Sequence, residues 1–337
     1  MVLSSFSELK ARLLKPTPLL IILLIAAVAV ARLLNLTTLD TMTIFMYFIA
    51  IAASLNLIMG FTGYVSFGHC VFLGIGAYIY ALMVYYVPWA NALQKTGGLG
   101  IIAVALIAAV IAALVAAAVG LAVLRLRGAF FAIATIGLDF AVLYIVMGTV
   151  PFINPEQFYG AQVILPSRCL VSKTSTFTAM FITMALVLAT NYLVRKSRFG
   201  MGLVAINEDE DAAEVMGVPT AKYKTLAFTL SAFFTALAGA VFYLNGGGVS
   251  PEAFDLAHTV DMIVMIVIGG LGTVSGPIVG GIVYYWLYDT LLVHYPGVNL
   301  IILGIIVGLI ILFAPEGVVG ILRRYEFKGV KLREVLE

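Results

Sequence analysis

Ten apolar segments dominate this chain and decide what it can become. They are Pro18–Leu34, Thr43–Gly60, His69–Val87, Leu99–Leu124, Ala129–Gly148, Thr176–Val194, Thr225–Gly246, His258–Leu271, Pro277–Val293 and Val298–Ala314. A helix needs about 20 apolar residues to cross a bilayer, and fewer where it re-enters or packs inside protein. In lipid every backbone N–H and C=O must be satisfied by the protein itself, so such segments form helices. Charge agrees, since only 11% of the 337 residues are charged, against roughly 25% in soluble domains. The expectation is an all-α polytopic membrane protein of about ten transmembrane helices, forming one domain over residues 1–337. Ala29-Val30-Ala31 resembles a signal-peptidase site, but more spans follow, and an uncleaved first helix is the simpler reading.

Lys and Arg stay on the cytoplasmic side of a membrane protein. With the N-terminus inside and each segment crossing once, the inside receives Lys10, Arg12, Lys15, Arg125, Arg127, Arg195, Lys196, Arg198, Lys222, Lys224, Arg323, Arg324, Lys328, Lys331 and Arg333, which is 15 of 19. The outside receives Arg32, Lys95, Arg168 and Lys173. Both tails, 1–17 and 315–337, are then cytoplasmic. The bias depends on counting the short pair His258–Leu271 and Pro277–Val293 as two segments. The loops Thr149–Ser175, with room for a short helix, and Asn245–Ala257 fall outside.

The polar interruption Arg195–Lys224 is expected inside. Five of the seventeen acids lie in its short run Glu208-Asp209-Glu210-Asp211-Ala212-Ala213-Glu214. Asn207 is suited to cap a helix there, with acids in the first turn against the positive end of the dipole. Glu210 stands at capping-box spacing. Gly217 then stops the helix and Pro219 keeps it stopped. This predicts a helix from about Glu208 to Met216. A helix lying on a bilayer usually carries Lys and Arg on its polar face; an acidic one suits a protein partner better.

Two hydrophobic regions are broken by glycine. One break holds Gly60, Gly63, Ser66 and Gly68; the other holds Gly269, Gly270, Gly272, Ser275, Gly276 and Pro277. Both contain G-x-V-S, as Gly63–Ser66 and Gly272–Ser275. Matched interruptions in two halves of a transporter point to an internal repeat and a pathway; two tight helix hairpins explain them equally well. Ionisable groups inside spans are costly and face a bundle interior or water; here they are Asp139, Asp261 and Asp289, with His69 at the first break, although Asp261 and Asp289 lie near expected helix ends, where an Asp can simply cap. Asn56, Ser66 and His69 cluster around the first break and Ser275 stands in the second, so Asn56, Ser66, His69, Asp139 and Ser275 are the candidates for a polar pathway. Alternatively, the polar groups around the breaks satisfy backbone freed by unwinding.

Several chemistries have no carrier here. Gly-Lys never occurs, so no phosphate-cradling loop of the G-x-x-x-x-G-K-[ST] type is encoded. His69, His258 and His294 lack metal-ligand spacing, and G-x-S-x-G is absent. Cys70 and Cys169 read as unpaired thiols. No basic block with interleaved aromatics suggests a nucleic-acid surface. A transport subunit without catalytic chemistry fits best, and a membrane-embedded enzyme lacks its constellation.

Asp211-Ala-Ala-x-x-x-Gly217 resembles the E-A-A-x-x-x-G loop of ABC-importer permeases, with Asp in place of Glu and without the hydrophobic-Pro continuation. The stretches Ser54–Tyr78, Arg125–Thr135, Arg198–Gly217 and Gly269–Pro277 are similar to branched-chain amino-acid permeases, closer to the M-type than the H-type subunit. The resemblance implies a type II ABC-importer-like permease with a cytoplasmic coupling helix. It implies two cytoplasmic ABC ATPase subunits, a second permease subunit of H-type, an extracytoplasmic solute-binding protein, and residence in the cell membrane. ATP and Mg would bind the partner ATPase, with no cofactor on this chain. A permease for urea, amides or another small solute, or a secondary transporter, is the alternative.

Overall fold

The computed structural model describes residues 38–153, 161–292, 317–324, 326–327 and 330–331, with positions 21, 24, 28, 301, 304, 305 and 308. The expected spans Pro18–Leu34 and Val298–Ala314 lie almost wholly outside the described residues. The helices are α1 (Leu39–Leu55, continued by a π-helical turn over Asn56–Gly60), α2 (His69–Tyr86), α3 (Pro88–Gln94), α4 (Gly98–Val123), α5 (Ala129–Ile153), α6 (Lys173–Lys196), α7 (Arg198–Glu208), α8 (Glu210–Val215), α9 (Thr220–Asn245), α10 (Leu256–Gly269), α11 (Gly276–Leu287, continued by a π-helical turn over Tyr288–Leu292) and α12 (Gly317–Arg324). Six described helices are long and apolar enough to cross a membrane: α1 with its π turn, α2, α4, α5, α6 and α9. The polytopic all-α expectation holds. The short pair resolves into α10 and α11, of 14 and 12 residues.

α9 is the central post, packed on α4, α2, α1 and α6. Small residues make this possible. A Cβ added to Gly76 would stand 2.2 Å from the Ala236 carbonyl oxygen, and one on Gly239 would stand 2.4 Å from that of Leu73. The backbones of α2 and α9 therefore touch, as small residues permit in membrane bundles. α5 stands at the edge; its buried Phe131, Thr135 and Asp139 recur every four residues and form one inward stripe.

The bundle has two distinct ends. At one, Lys173 pairs with Asp40, and the two expected external loops are stitched by a short antiparallel ladder, β1 (Val163–Ile164) with β2 (Gly248–Val249). Thr149–Ser175 also supplies a 3₁₀ turn over Ser167–Cys169. The other end gathers both glycine breaks, α7, α8 and the start of α12, where a Cβ on Gly317 would stand 2.6 Å from the Gly270 nitrogen.

α10 and α11 form a hairpin that packs on α1. Added Cβ atoms would stand 1.7 Å from the Met265 oxygen at Gly280 and 1.9 Å from the Gly276 oxygen at Gly269. Gly280→Ala should therefore destabilise the folded chain by about 1–3 kcal/mol through overpacking. Gly137→Ala, with no heavy atom within 4 Å, should be neutral or stabilising by up to about 1 kcal/mol. Thermal unfolding in detergent compares them, and equal midpoints would contradict the close hairpin.

Candidate functional site

The acidic run folds differently in detail from its expected single helix. Ser197 accepts from the Gly200 N–H at 3.1 Å and starts α7 early, so Asn207 and Glu208 become the end of that helix. Asp209 then leaves helical geometry (φ −159°, ψ 113°), and its side chain caps α8 by accepting from the Ala212 N–H at 2.9 Å. The cap is thus Asp209 rather than Asn207, because the upstream helix runs through the expected start. The expected stop is present. Gly217 has φ +87°, the Val218 N–H donates to the Ala213 carbonyl at 3.0 Å, and the Gly217 N–H donates to that of Glu214 at 3.0 Å. That bond pair is a Schellman end.

The acids of α8 are held unequally. Arg127, from the loop between α4 and α5, reaches Asp211 at 2.6 Å, Glu210 at 3.7 Å and Glu214 at 3.9 Å. Asp211 and Glu214 remain exposed. Glu210 turns inward: its side chain is 14% exposed and pairs at 2.7 Å with Lys224 of α9, itself 3% exposed. The Tyr64 hydroxyl, from the first break, donates to the same carboxylate. Lys224 also donates to the Tyr64 oxygen at 3.0 Å and the Leu124 carbonyl at 3.1 Å. Partial burial pushes the Glu210 carboxyl up, but hydrogen bonds from Lys224 and Tyr64 outweigh it and hold it below its ordinary value. Burial, and then the Glu210 carboxylate, push the Tyr64 phenol up, so it stays a donor.

The two breaks touch. A Cβ on Gly272 would stand 2.6 Å from the Gly60 oxygen, and the Asn56 amide donates to the Thr273 carbonyl at 3.1 Å. The matched glycines share a left-handed backbone, φ +73° at Gly63 and +71° at Gly272, a conformation that only glycine takes without cost. Asn56 also donates to Asn191 at 3.0 Å, and Asn191 donates to the Ala53 carbonyl at 2.8 Å. His69 lies between Ser66 at 2.9 Å and Ser231 at 2.7 Å. Ser231 gives its proton to the Ser54 carbonyl at 2.6 Å, so it receives Nε2–H; the neutral ring then accepts from Ser66 at Nδ1.

Asn56, Ser66, His69, Asp139 and Ser275 are all buried. Asp139 accepts from the Cys70 thiol at 3.2 Å, on the α2–α5 contact. These bonds of Asn56, Ser66, His69 and Asp139 all run to other groups of this chain. A cavity of about 260 Å³ borders Gly60, Gly63, Asn207 and Thr273, and another of about 580 Å³ borders Tyr64, Phe67, Arg127 and Glu210. The residues missed from sequence are Tyr64, Lys224, Asn191, Ser231 and Thr135. Lys224 and Asn191 carried a usable signal, a cation immediately before a long apolar run and an amide inside an apolar helix.

A bundle with six helices long and apolar enough to cross a bilayer, joined at a basic end, is that of a multi-pass membrane protein. The chain belongs more narrowly to the family described as "Branched-chain amino acid transport system / permease component", whose profile matches residues 37–315. It is 27% identical over 334 residues to the high-affinity branched-chain amino acid transport system permease protein LivM of Escherichia coli (strain K12), covering 90% of this chain and 75% of that one. Identity to the LivH permease of Salmonella typhimurium is 25% over 243 residues, 69% of this chain and 78% of that one. A fructose import permease of Rhizobium meliloti is 28% identical over 42% of this chain and 40% of its own. No solved structure matches. The wider cover of LivM agrees with the M-type resemblance, and these relatives are transport components rather than enzymes.

Glu210→Ala should cost about 3 kcal/mol or more, because it strands a buried ammonium. Asp211→Ala, at a carboxylate 76% exposed, should cost under about 1 kcal/mol. The depressed Glu210 value sets the pH dependence: its stabilisation is complete above the ordinary value of 4.5 and fades as pH falls through the lower folded value. Melting curves at pH 6 should therefore show the full difference between the two variants, and similar losses would refute the inward role of Glu210.

Proposed function

We propose that this chain is a permease subunit of an ATP-driven importer for branched-chain or related amino acids. Its partners are two cytoplasmic ABC ATPase subunits, a second permease subunit of H-type, and an extracytoplasmic solute-binding protein. The observation that carries the reading is the tip of α8. Val215 and Met216 are 87% and 84% exposed, beside the acids Asp211 and Glu214, on a helix with a firm cap and a firm stop. Large apolar side chains held out from the charged end of a membrane bundle suit a protein groove. The same end carries Arg125, Arg127, Arg195, Lys196, Arg198 and Lys222, so it faces the cytoplasm by the positive-inside rule. The branched-chain substrates named for the LivM and LivH relatives support this solute class in the proposal.

In this reading α8 is the coupling helix. Glu208, Asp209, Glu210, Asp211, Ala212, Ala213, Glu214 and Gly217 build or flank the docking element, Glu210 from its inner side, and ATP with Mg binds the partner. Closure of the ATPase pair moves α8 and tilts the spans around it, alternating access to a central path. The test is uptake of labelled leucine, isoleucine and valine by membranes that hold the whole system. Uptake should require ATP and the separate ATPase. A β-branched side chain in a left-handed backbone costs roughly 1–2 kcal/mol, so Gly217→Val should misplace the helix end and cut uptake at least tenfold with the protein still inserted. Uptake by this chain alone, collapsed by an uncoupler, would overturn the reading in favour of a secondary transporter.

A further inference from the structure

The acid that faces away from any docking partner is the one with the most internal bonds. Glu210 joins three elements at once: α8, which carries it; α9, through Lys224; and the first break, through Tyr64. Tyr64 follows Gly63 at the start of the non-helical run Gly63–Gly68, which ends at His69. That run lacks intrahelical bonds, so it is where the chain changes φ and ψ at least cost. The break is also pressed against the joint between α7 and α8, since a Cβ on Gly63 would stand 2.2 Å from the Asn207 side-chain oxygen. Beyond it the first break rests on the second, through Gly60 and Gly272. The cavity of about 580 Å³ beside Tyr64 and Glu210 gives this segment room to shift.

We propose that the Tyr64–Glu210 hydrogen bond is a transmission link, through which displacement of α8 repositions the first break and, by contact, the second, so that the paired breaks act as a gate at this end of the bundle. Lys224 is the anchor of the link, holding Glu210 and the Tyr64 oxygen to the central helix. Tyr64 and Glu210 are positioning residues: they touch no solute and act through the backbone of the break. The proposal rests on the importer reading for what drives α8, and on the geometry for what α8 moves.

The test separates a moving link from a static brace. Val65, which lines both cavities at the break, is replaced by Cys in the full complex in inside-out membrane vesicles. Labelling by a membrane-impermeant maleimide is timed without nucleotide and with the ATPase trapped by Mg-ATP and vanadate. The same chain without Val65→Cys gives the background of the buried Cys70 and Cys169. The labelling rate should change at least threefold between the two states. Tyr64→Phe removes one oxygen and leaves the Lys224–Glu210 pair in place. It should reduce that change to under 1.5-fold, keep ATP hydrolysis within twofold, and lower amino-acid uptake per ATP at least fivefold. A nucleotide-dependent change that survives Tyr64→Phe undiminished overturns the link, as does its absence before the substitution. Absence of ATP-dependent uptake with the labelling change intact would count against the importer reading alone.

Discussion

A helix that unwinds inside an apolar bundle frees backbone groups that water cannot reach. Each one left unpaired costs about 1–3 kcal/mol, and lipid gives no second chance. The first break meets this constraint with side chains from separate helices. Thr135 of α5 accepts from the Phe67 N–H, Thr259 of α10 accepts from that of Cys70, and Ser231 of α9 donates to the Ser54 carbonyl. Asn191 of α6 covers the Ala53 carbonyl, and Asn56 reaches across to Thr273 in the second break. The break thereby dictates which helices surround it. The bundle is arranged about an interruption that four other helices must satisfy.

The charges at the same end follow a different rule. Arg127 and its exposed acids form pairs that water and salt weaken, each worth under about 1 kcal/mol. Lys224 and Glu210 are mostly withdrawn from water, and their attraction must first offset desolvation. Such a pair adds little net stability over an apolar substitute. What it does add is position. Only a carboxylate at Glu210 meets both the Lys224 ammonium and the Tyr64 hydroxyl, so α8 has one seat on the bundle rather than a sliding contact.

Much of this was legible in the sequence, because its signals were long or stereochemical. Apolar length located the six described helices long enough to cross a membrane, and glycine located the breaks and the end of α8, where a positive φ excludes other residues cheaply. The start of α8 was misplaced from Asn207 because caps compete: Ser197 begins a helix that absorbs Asn207, and Asp209 is the next residue able to break out and cap. The Tyr64–Glu210–Lys224 cluster was illegible because its members are separated by 146 and 14 positions. Capping-box spacing from Asn207 marks Glu210 among the acids, but that spacing says nothing about which acid faces inward. Only the approach of α9 and the first break decides which acid of the run faces inward.

The same distinction governs the placement of the C-terminal basic residues. By counting segments, their side of the membrane flips with every span added or removed, and the short α10–α11 pair made the count fragile. A hairpin that enters and returns preserves the parity just as two full crossings do. The deciding feature is a contact. α12 begins at Gly317 against Gly270 of the second break and ends on Arg323 and Arg324. The second break touches the first, the first is bonded to α8, and α8 lies among Arg127, Lys222 and Lys224. The C-terminal pair therefore lies on the helix that starts at the same end as Arg127, Lys222 and Lys224 whatever the number of crossings, and among the described residues the shared side rests on packing rather than on arithmetic.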